Sequence, residues 1–207
     1  KRTFAPYAHT VPINAPVILS NGAMLYDFAA DRVVVDLPLP ETAAADLTAL
    51  SDEMPELGIE CYHGDDVYIH HPNAHTQRHV ERVKTTWTQR ELLDMPTPWS
   101  KAVIRQRWGD RYEAIFSNAV LLECTAKTAS KGGMVLKLAQ LLGIDRANIY
   151  CAGDNQNDIP MLAASAIPFA PGNCAQAVKD WGATVLRPCE EDFIAQVVGI
   201  LELRYGG

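Results

Sequence analysis

Asp154 and Asp158 stand four positions apart in a glycine-led loop, Gly153-Asp154-Asn155-Gln156-Asn157-Asp158, directly after the apolar run Ile149-Tyr150-Cys151-Ala152. Two carboxylates so placed can hold a hard cation. Mg²⁺ takes one or two carboxylates, keeps several waters, and completes its shell with substrate phosphate. The same side chains could instead cap a helix N-terminus, where short acids satisfy orphan backbone N–H groups. Spacing alone does not choose between the two.

The elements around the loop must do the positioning. Ile149–Ala152 reads as a short buried strand, and Ile159 to Ala164 as the start of a helix, with Pro160 in the first turn where its missing N–H costs little. Upstream, Met134, Leu138, Leu141 and Leu142 recur at helical spacing and stop at Gly143, a residue suited to a left-handed cap. Downstream, Ile167–Ala170 reads as another strand, followed by the loop Pro171-Gly172-Asn173. Alternating strands and helices predict a parallel sheet with βαβ crossovers, whose ligands sit at the carboxyl ends of the strands. Both loops lie at such ends.

The first half reads differently. Pro16–Leu19 and Met24–Tyr26 are short strands around the turn Ser20-Asn21-Gly22-Ala23, and a second lobe begins near Phe28. In that lobe the pattern predicts a helix over 41–54, a hairpin of strands 58–62 and 67–70 around His63-Gly64-Asp65-Asp66, a helix over 73–86, and strands at 102–105 and 119–124.

Composition narrows the function classes. At 207 residues, with 48% hydrophobic and 21% charged residues, the chain has material for one α/β domain and a smaller lobe. A net charge of −7 without a Lys/Arg cluster argues against a nucleic-acid partner. The five cysteines, 61, 124, 151, 174 and 189, form no C-x-x-C pair, which indicates neither a zinc site nor a disulfide framework and points to a reducing, cytoplasmic setting. No run approaches the roughly 20 apolar residues needed to span a bilayer, so no membrane association is expected.

Taken in order, Ser20-Asn21-Gly22-Ala23, Leu122-Glu123, Lys131-Gly132-Gly133, Gly153-Asp154 through Asn157-Asp158, Met161-Leu162 and Pro171-Gly172-Asn173 resemble the haloacid dehalogenase superfamily, and within it the Cof-like phosphatases. The resemblance implies a Rossmann-like core over 1–27 and 126–207, with an inserted α+β cap over 28–125. It implies a Mg²⁺-dependent phosphatase acting on a small phosphorylated metabolite such as a sugar phosphate, through an aspartyl-phosphate. Two anions must meet in that reaction, so a cation and a lysine have to offset their repulsion. Residue by residue, the resemblance makes Asp154 the Mg²⁺ ligand and Asp158 the second acid, holding the metal or its waters. It makes Lys131 the lysine that pairs with nucleophile and phosphate, Asn157 a loop amide near the phosphate, and Asn21 and Asn173 supporting or substrate-contacting residues at the border.

Two family features are missing. The nucleophile's Asp-x-Asp-Gly-Thr motif does not occur, and Asp27, Asp31 and Asp36 lack its strand and Gly-Thr context. The core is therefore expected to be incomplete, without its first strand and nucleophile, and the chain alone inactive and inclined to self-associate through unpaired strand edges. Over 99–112 either the cap is abbreviated relative to the family pattern or residues are absent from the sequence, which bears on substrate choice. The alternative function is a catalytically inactive fragment or a divergent binding or oligomerising module on the same fold.

Other residues rank lower. His71, His75 and His79 would share a helix face if their segment were helical throughout, but a full zinc ligand set is not evident. His63, Asp65 and Asp66 read as a solvated turn, with a hairpin loop leaning over the active site as the alternative, and Trp87, Trp99, Trp108 and Trp181 read as packing residues. Lys127 lacks the Lys-Gly-Gly context of Lys131.

Overall fold

A computed structural model describes residues 4–8, 10–99, 112–116, 122–126 and 129–206. The chain divides into two compact units, Lys1–Ser130 and Lys131–Gly207. The sequence expectations at 102–105 and 119–121, together with Trp108 and Lys127, lie outside the described residues.

In the first unit, β1 (Val17–Leu19) and β2 (Met24–Asp27) pair antiparallel with Ile18 opposite Leu25, and β3 (Arg32–Asp36) pairs antiparallel with β2. Helix α1 (Ala43–Glu53) buries Ala43, Leu47, Leu50 and Ser51, one face at the 3.6-residue period. That face packs with Ile59, Cys61, Leu92, Met95 and Trp99, and fully burying each such side chain stabilises by about 1.5–3 kcal/mol. Strands β4 (Ile59–His63) and β5 (Asp66–His70) form the expected hairpin, with Gly64 at φ 58° in its two-residue turn. Helix α2 (Ala74–Arg82) starts at a capping box. The Asn73 carboxamide oxygen accepts from the N–H groups of His75 and Thr76 (3.0 and 3.1 Å), and Thr76 Oγ1 accepts from the Asn73 N–H (2.9 Å). Strand β6 (Thr88–Gln89) runs parallel to β5, and β7 (Tyr112–Phe116) pairs antiparallel with β8 (Leu122–Ala126).

Two expectations need correction here. The helix over 73–86 stops at Arg82, and Lys84 has a positive φ of 51° that a continuing helix does not admit. His71 precedes the helix, also at positive φ (48°), so it does not share a helix face with His75 and His79. His79 Nδ1 instead lies 2.8 Å from the Oε2 of Glu60, a carboxylate only 1% exposed. His63 Nδ1 lies 2.8 Å from the Pro98 carbonyl oxygen, tying the hairpin turn to the segment before Trp99. Burial, followed by the neighbouring His71, holds the His70 imidazole below its ordinary pKa.

The second unit is a βα alternation. Helix α3 (Lys131–Leu142) ends at Gly143, whose φ of 66° is the left-handed cap expected there. Then follow β9 (Tyr150–Ala152), α4 (Ile159–Ala164), β10 (Ile167–Ala170), α5 (Gln176–Trp181), β11 (Thr184–Val185) and α6 (Phe193–Tyr205). The three strands pair in parallel in the order β11-β10-β9, with Pro168 opposite Cys151 and Phe169 opposite Thr184. Leu162, Ala170 and Val178 form one core cluster, and Phe169, Phe193 and Val197 another. Among the described residues no helix is long and apolar enough to cross a membrane. None of the five cysteines, all among the described residues, is in a disulfide.

Gly199 lies inside α6 with open space where a Cβ would stand. Glycine in a helix interior costs about 0.5–1 kcal/mol relative to alanine. Gly199→Ala should therefore raise the urea midpoint of unfolding; a lowered midpoint would show that the absent side chain has a packing role.

Candidate active site

The loop between β9 and α4 is built around one carboxylate. Asp158 is 5% exposed, and both of its oxygens are engaged. Oδ1 accepts from Lys131 Nζ at 2.6 Å, while Oδ2 accepts from the backbone N–H groups of Asp154 (3.0 Å) and Asn155 (3.1 Å). The Asp158 contacts with Asn155 belong to a capping box at the single 3₁₀ turn Gln156–Asp158, which runs into α4. Asp158 thus serves in the cap, while the Asp154 side chain stays exposed at the carboxyl end of β9.

Close approaches explain the glycines. A Cβ on Gly153 would stand 2.4 Å from the Cβ of Asp158, so only glycine lets the loop fold back onto this carboxylate. A Cβ on Gly132 would stand 2.0 Å from the carbonyl oxygen of Pro160, so the first turn of α3 rests directly on the first turn of α4. That contact sets Lys131 beside Asp158. Their pairing is short, charge-assisted and mostly shielded, with the Lys131 side chain 25% exposed and that of Asp158 7%. Upstream, buried Thr125 donates its hydroxyl to the Ala129 carbonyl (3.0 Å).

The loop after β10 is fastened to the acidic loop through the Ala175 N–H, which donates to the Asp154 carbonyl at 2.8 Å. Asn173, exposed in that loop, accepts from the Cys189 N–H at 3.2 Å and places its Nδ2 3.4 Å from both Glu190 carboxylate oxygens. Its carboxamide therefore braces the 188–190 segment. Asn157 is half-buried in the 3₁₀ turn. Asn21 belongs to the other unit, in the turn after β1 where Ser20, Asn21 and Gly22 take φ values of 51°, 54° and 97°. Left-handed conformations at non-glycine residues cost of order 1–3 kcal/mol each and concentrate at functional positions.

The second unit thus brings together Lys131, Asp154, Asn157, Asp158 and Asn173 around the ends of β9 and β10. The sequence had not revealed that Asp158 spends both oxygens on protein donors, or that Gly132 and Gly153 are needed for close approach. The Gly-Gly and Gly-Asp pairs were visible, but their neighbours in space were not. Cys151 is no competing nucleophile, since burial pushes its thiol pKa up to about 11.

Residues 1–198 match the family model of haloacid dehalogenase-like hydrolases. The chain is 28% identical over 221 aligned positions to the pyridoxal phosphate phosphatase YbhA of Escherichia coli, covering 93% of this chain and 79% of that one. In fold it is similar to a haloacid dehalogenase-like hydrolase from Bacteroides thetaiotaomicron, with TM-score 0.80, 18% identity, and coverage of 96% of this chain and 82% of the other. It is also similar to a subclass IIB sugar phosphatase of the superfamily, with TM-score 0.82, 17% identity, and coverage of 98% and 80%. With the match running through both units, including the Lys131 and Asp154–Asp158 segments, this chain belongs to the haloacid dehalogenase-like hydrolases.

Proposed function

We propose that this chain carries the metal-holding and lysine-bearing half of a Mg²⁺-dependent phosphomonoesterase acting on a small phosphorylated metabolite in the cytoplasm. The observation that carries the reading is the Lys131–Asp158 pair at 2.6 Å, beside an exposed Asp154 whose own backbone N–H is held by Asp158. The relatives named for pyridoxal phosphate and sugar phosphate hydrolysis support a compact phosphorylated substrate. Residues 28–125 are assigned as the cap that selects it.

The donor chemistry fits Mg²⁺. Asp154 offers an unshared hard oxygen at the strand end, and Asp158, already committed to protein donors, suits contact through metal-bound water. When bound, the ion would neutralise charge on the phosphoryl oxygens. Lys131 supplies a second positive charge, its ammonium oriented by Asp158 with donors left for a phosphoryl oxygen. Asp158 fixes the backbone on which Asp154 is mounted, so lysine and ligand move as one piece. The nucleophilic carboxylate, assigned to a first core strand upstream of these residues, would form an O–P bond as the ester O–P bond breaks. The leaving alkoxide takes a proton, and water then attacks phosphorus to release inorganic phosphate and restore the carboxylate.

The test uses the chain extended upstream into that strand, assayed with p-nitrophenyl phosphate and a panel of sugar phosphates. Turnover should vanish with EDTA and return with Mg²⁺, and Asp154→Asn should raise the half-saturating Mg²⁺ concentration about tenfold or more. Metal-independent turnover would remove Asp154 from its assigned role. No turnover with the strand present would favour the non-catalytic binding module.

A further inference from the structure

We propose that His70, His71 and Glu91 form a binding site for a divalent transition metal of the zinc class, separate from the Asp154 loop. Each side chain offers one ligand atom, and the three atoms lie within 4.8 Å of one another. They converge because β5 ends in His70, His71 follows it directly, and the chain leaving β6 stays beside the strand, with the Arg90 N–H donating to the Ile69 carbonyl at 3.1 Å. That backbone contact sets Glu91 beside His70.

His70 is the anchor. It is 6% exposed, and its Nε2 lies 2.9 Å from Oγ of buried Ser51 on α1. Its Nδ1 is buried and has no hydrogen-bond partner, although Glu91 Oε2 is only 3.2 Å away. In the tautomer protonated at Nε2, this buried nitrogen and the carboxylate oppose two lone pairs, an arrangement a shared cation relieves. The 3.2 Å separation is close to the edge of a tetrahedron with ligand bonds of about 2.0–2.1 Å, which is roughly 3.3 Å. When Ser51 Oγ accepts from Nε2–H it fixes the tautomer in which Nδ1 presents its lone pair to the ion. That division of labour is how protein ligands are commonly oriented.

His71 closes the site from the solvent side. Its ring stacks on that of His70 with centroids 3.8 Å apart, and its backbone is held at a positive φ of 48°. Glu91 and His71 are both exposed, which gives the ion an entry path and leaves a fourth position for water. Two imidazoles and one carboxylate suit Zn²⁺, Ni²⁺ or Cu²⁺, whereas Mg²⁺ prefers all-oxygen shells.

The test is titration of the chain with Zn²⁺ alone, in competition with a chromogenic chelator, together with Co²⁺ absorption spectroscopy as a reporter of tetrahedral nitrogen and oxygen ligation. One equivalent should bind, His71→Ala and Glu91→Gln should each weaken it about tenfold or more, and the double variant should lose saturable binding. Both substitutions are at exposed positions, and circular dichroism checks that the fold is kept; Asp154→Asn should leave Zn²⁺ affinity unchanged. Absence of saturable binding to the unaltered chain, or equal affinity in the His71→Ala/Glu91→Gln variant, overturns the proposal.

Discussion

Lys131→Met should reduce phosphate-ester turnover by about a thousandfold in the chain that includes the first core strand, because positive groups on a transferring phosphoryl group are worth that much or more. Methionine keeps the length and loses the charge. The substitution also leaves Asp158 buried without its cation, though still accepting from the N–H groups of Asp154 and Asn155. Breaking a buried pair costs about 3–5 kcal/mol, and the lower end applies here because the lysine side chain, 25% exposed, is partly screened by water. Turnover and stability can be separated by a double-mutant cycle. If Asp158 acts mainly by holding Lys131, Lys131→Met combined with Asp158→Asn should destabilise by less than the sum of the two single changes. Additive losses would show two independent residues, and Lys131→Met with unaltered turnover would exclude the lysine from the chemistry.

The second unit was more legible in the sequence than the first. Strand β9, helix α4, strand β10 and the Gly143 stop were all visible, since short apolar runs bounded by glycine and proline are strong local signals. Helices α5 and α6 were not. Helix α5 is six residues long, too short for a period to show, and α6 carries apolar residues around much of its circumference, with Ile194 61% and Leu203 89% exposed. Strand β3 was missed because Arg32–Asp36 is at most half-buried and shows no alternation of burial. The candidate site was legible in its chemistry and not in its division of roles. Motif spacing put Lys131, Asp154 and Asp158 in one place, but it could not show which acid would be tied to the lysine and which left open. That depends on α3 and α4 touching at Gly132 and Pro160, a contact between residues distant in sequence.

That contact gives a prediction as large as the lysine's, made without touching a charged group. In Gly132→Ala the new Cβ would meet the Pro160 carbonyl oxygen at 2.0 Å, with the carbonyl carbon at 2.5 Å and the Met161 nitrogen at 3.2 Å. All three are backbone atoms, so no rotamer change relieves the clash and α3 and α4 must separate. Overpacking of this kind costs about 3 kcal/mol, a large fraction of the roughly 5–15 kcal/mol that holds a domain folded. Lys131 is the adjacent residue in α3, and Asp158 caps the turn leading into α4, so separation also lengthens their 2.6 Å pairing. Gly132→Ala should therefore lower the unfolding midpoint and the turnover together. Asp154→Asn should instead weaken metal affinity with little change in the midpoint, because the exposed side chain supports no packing. A Gly132→Ala protein with an unshifted midpoint and full turnover would mean that the two helices do not hold the lysine in place. Loss of stability with turnover retained at low temperature would mean that the pairing survives the separation, and the positioning of Lys131 would then rest on Asp158 alone.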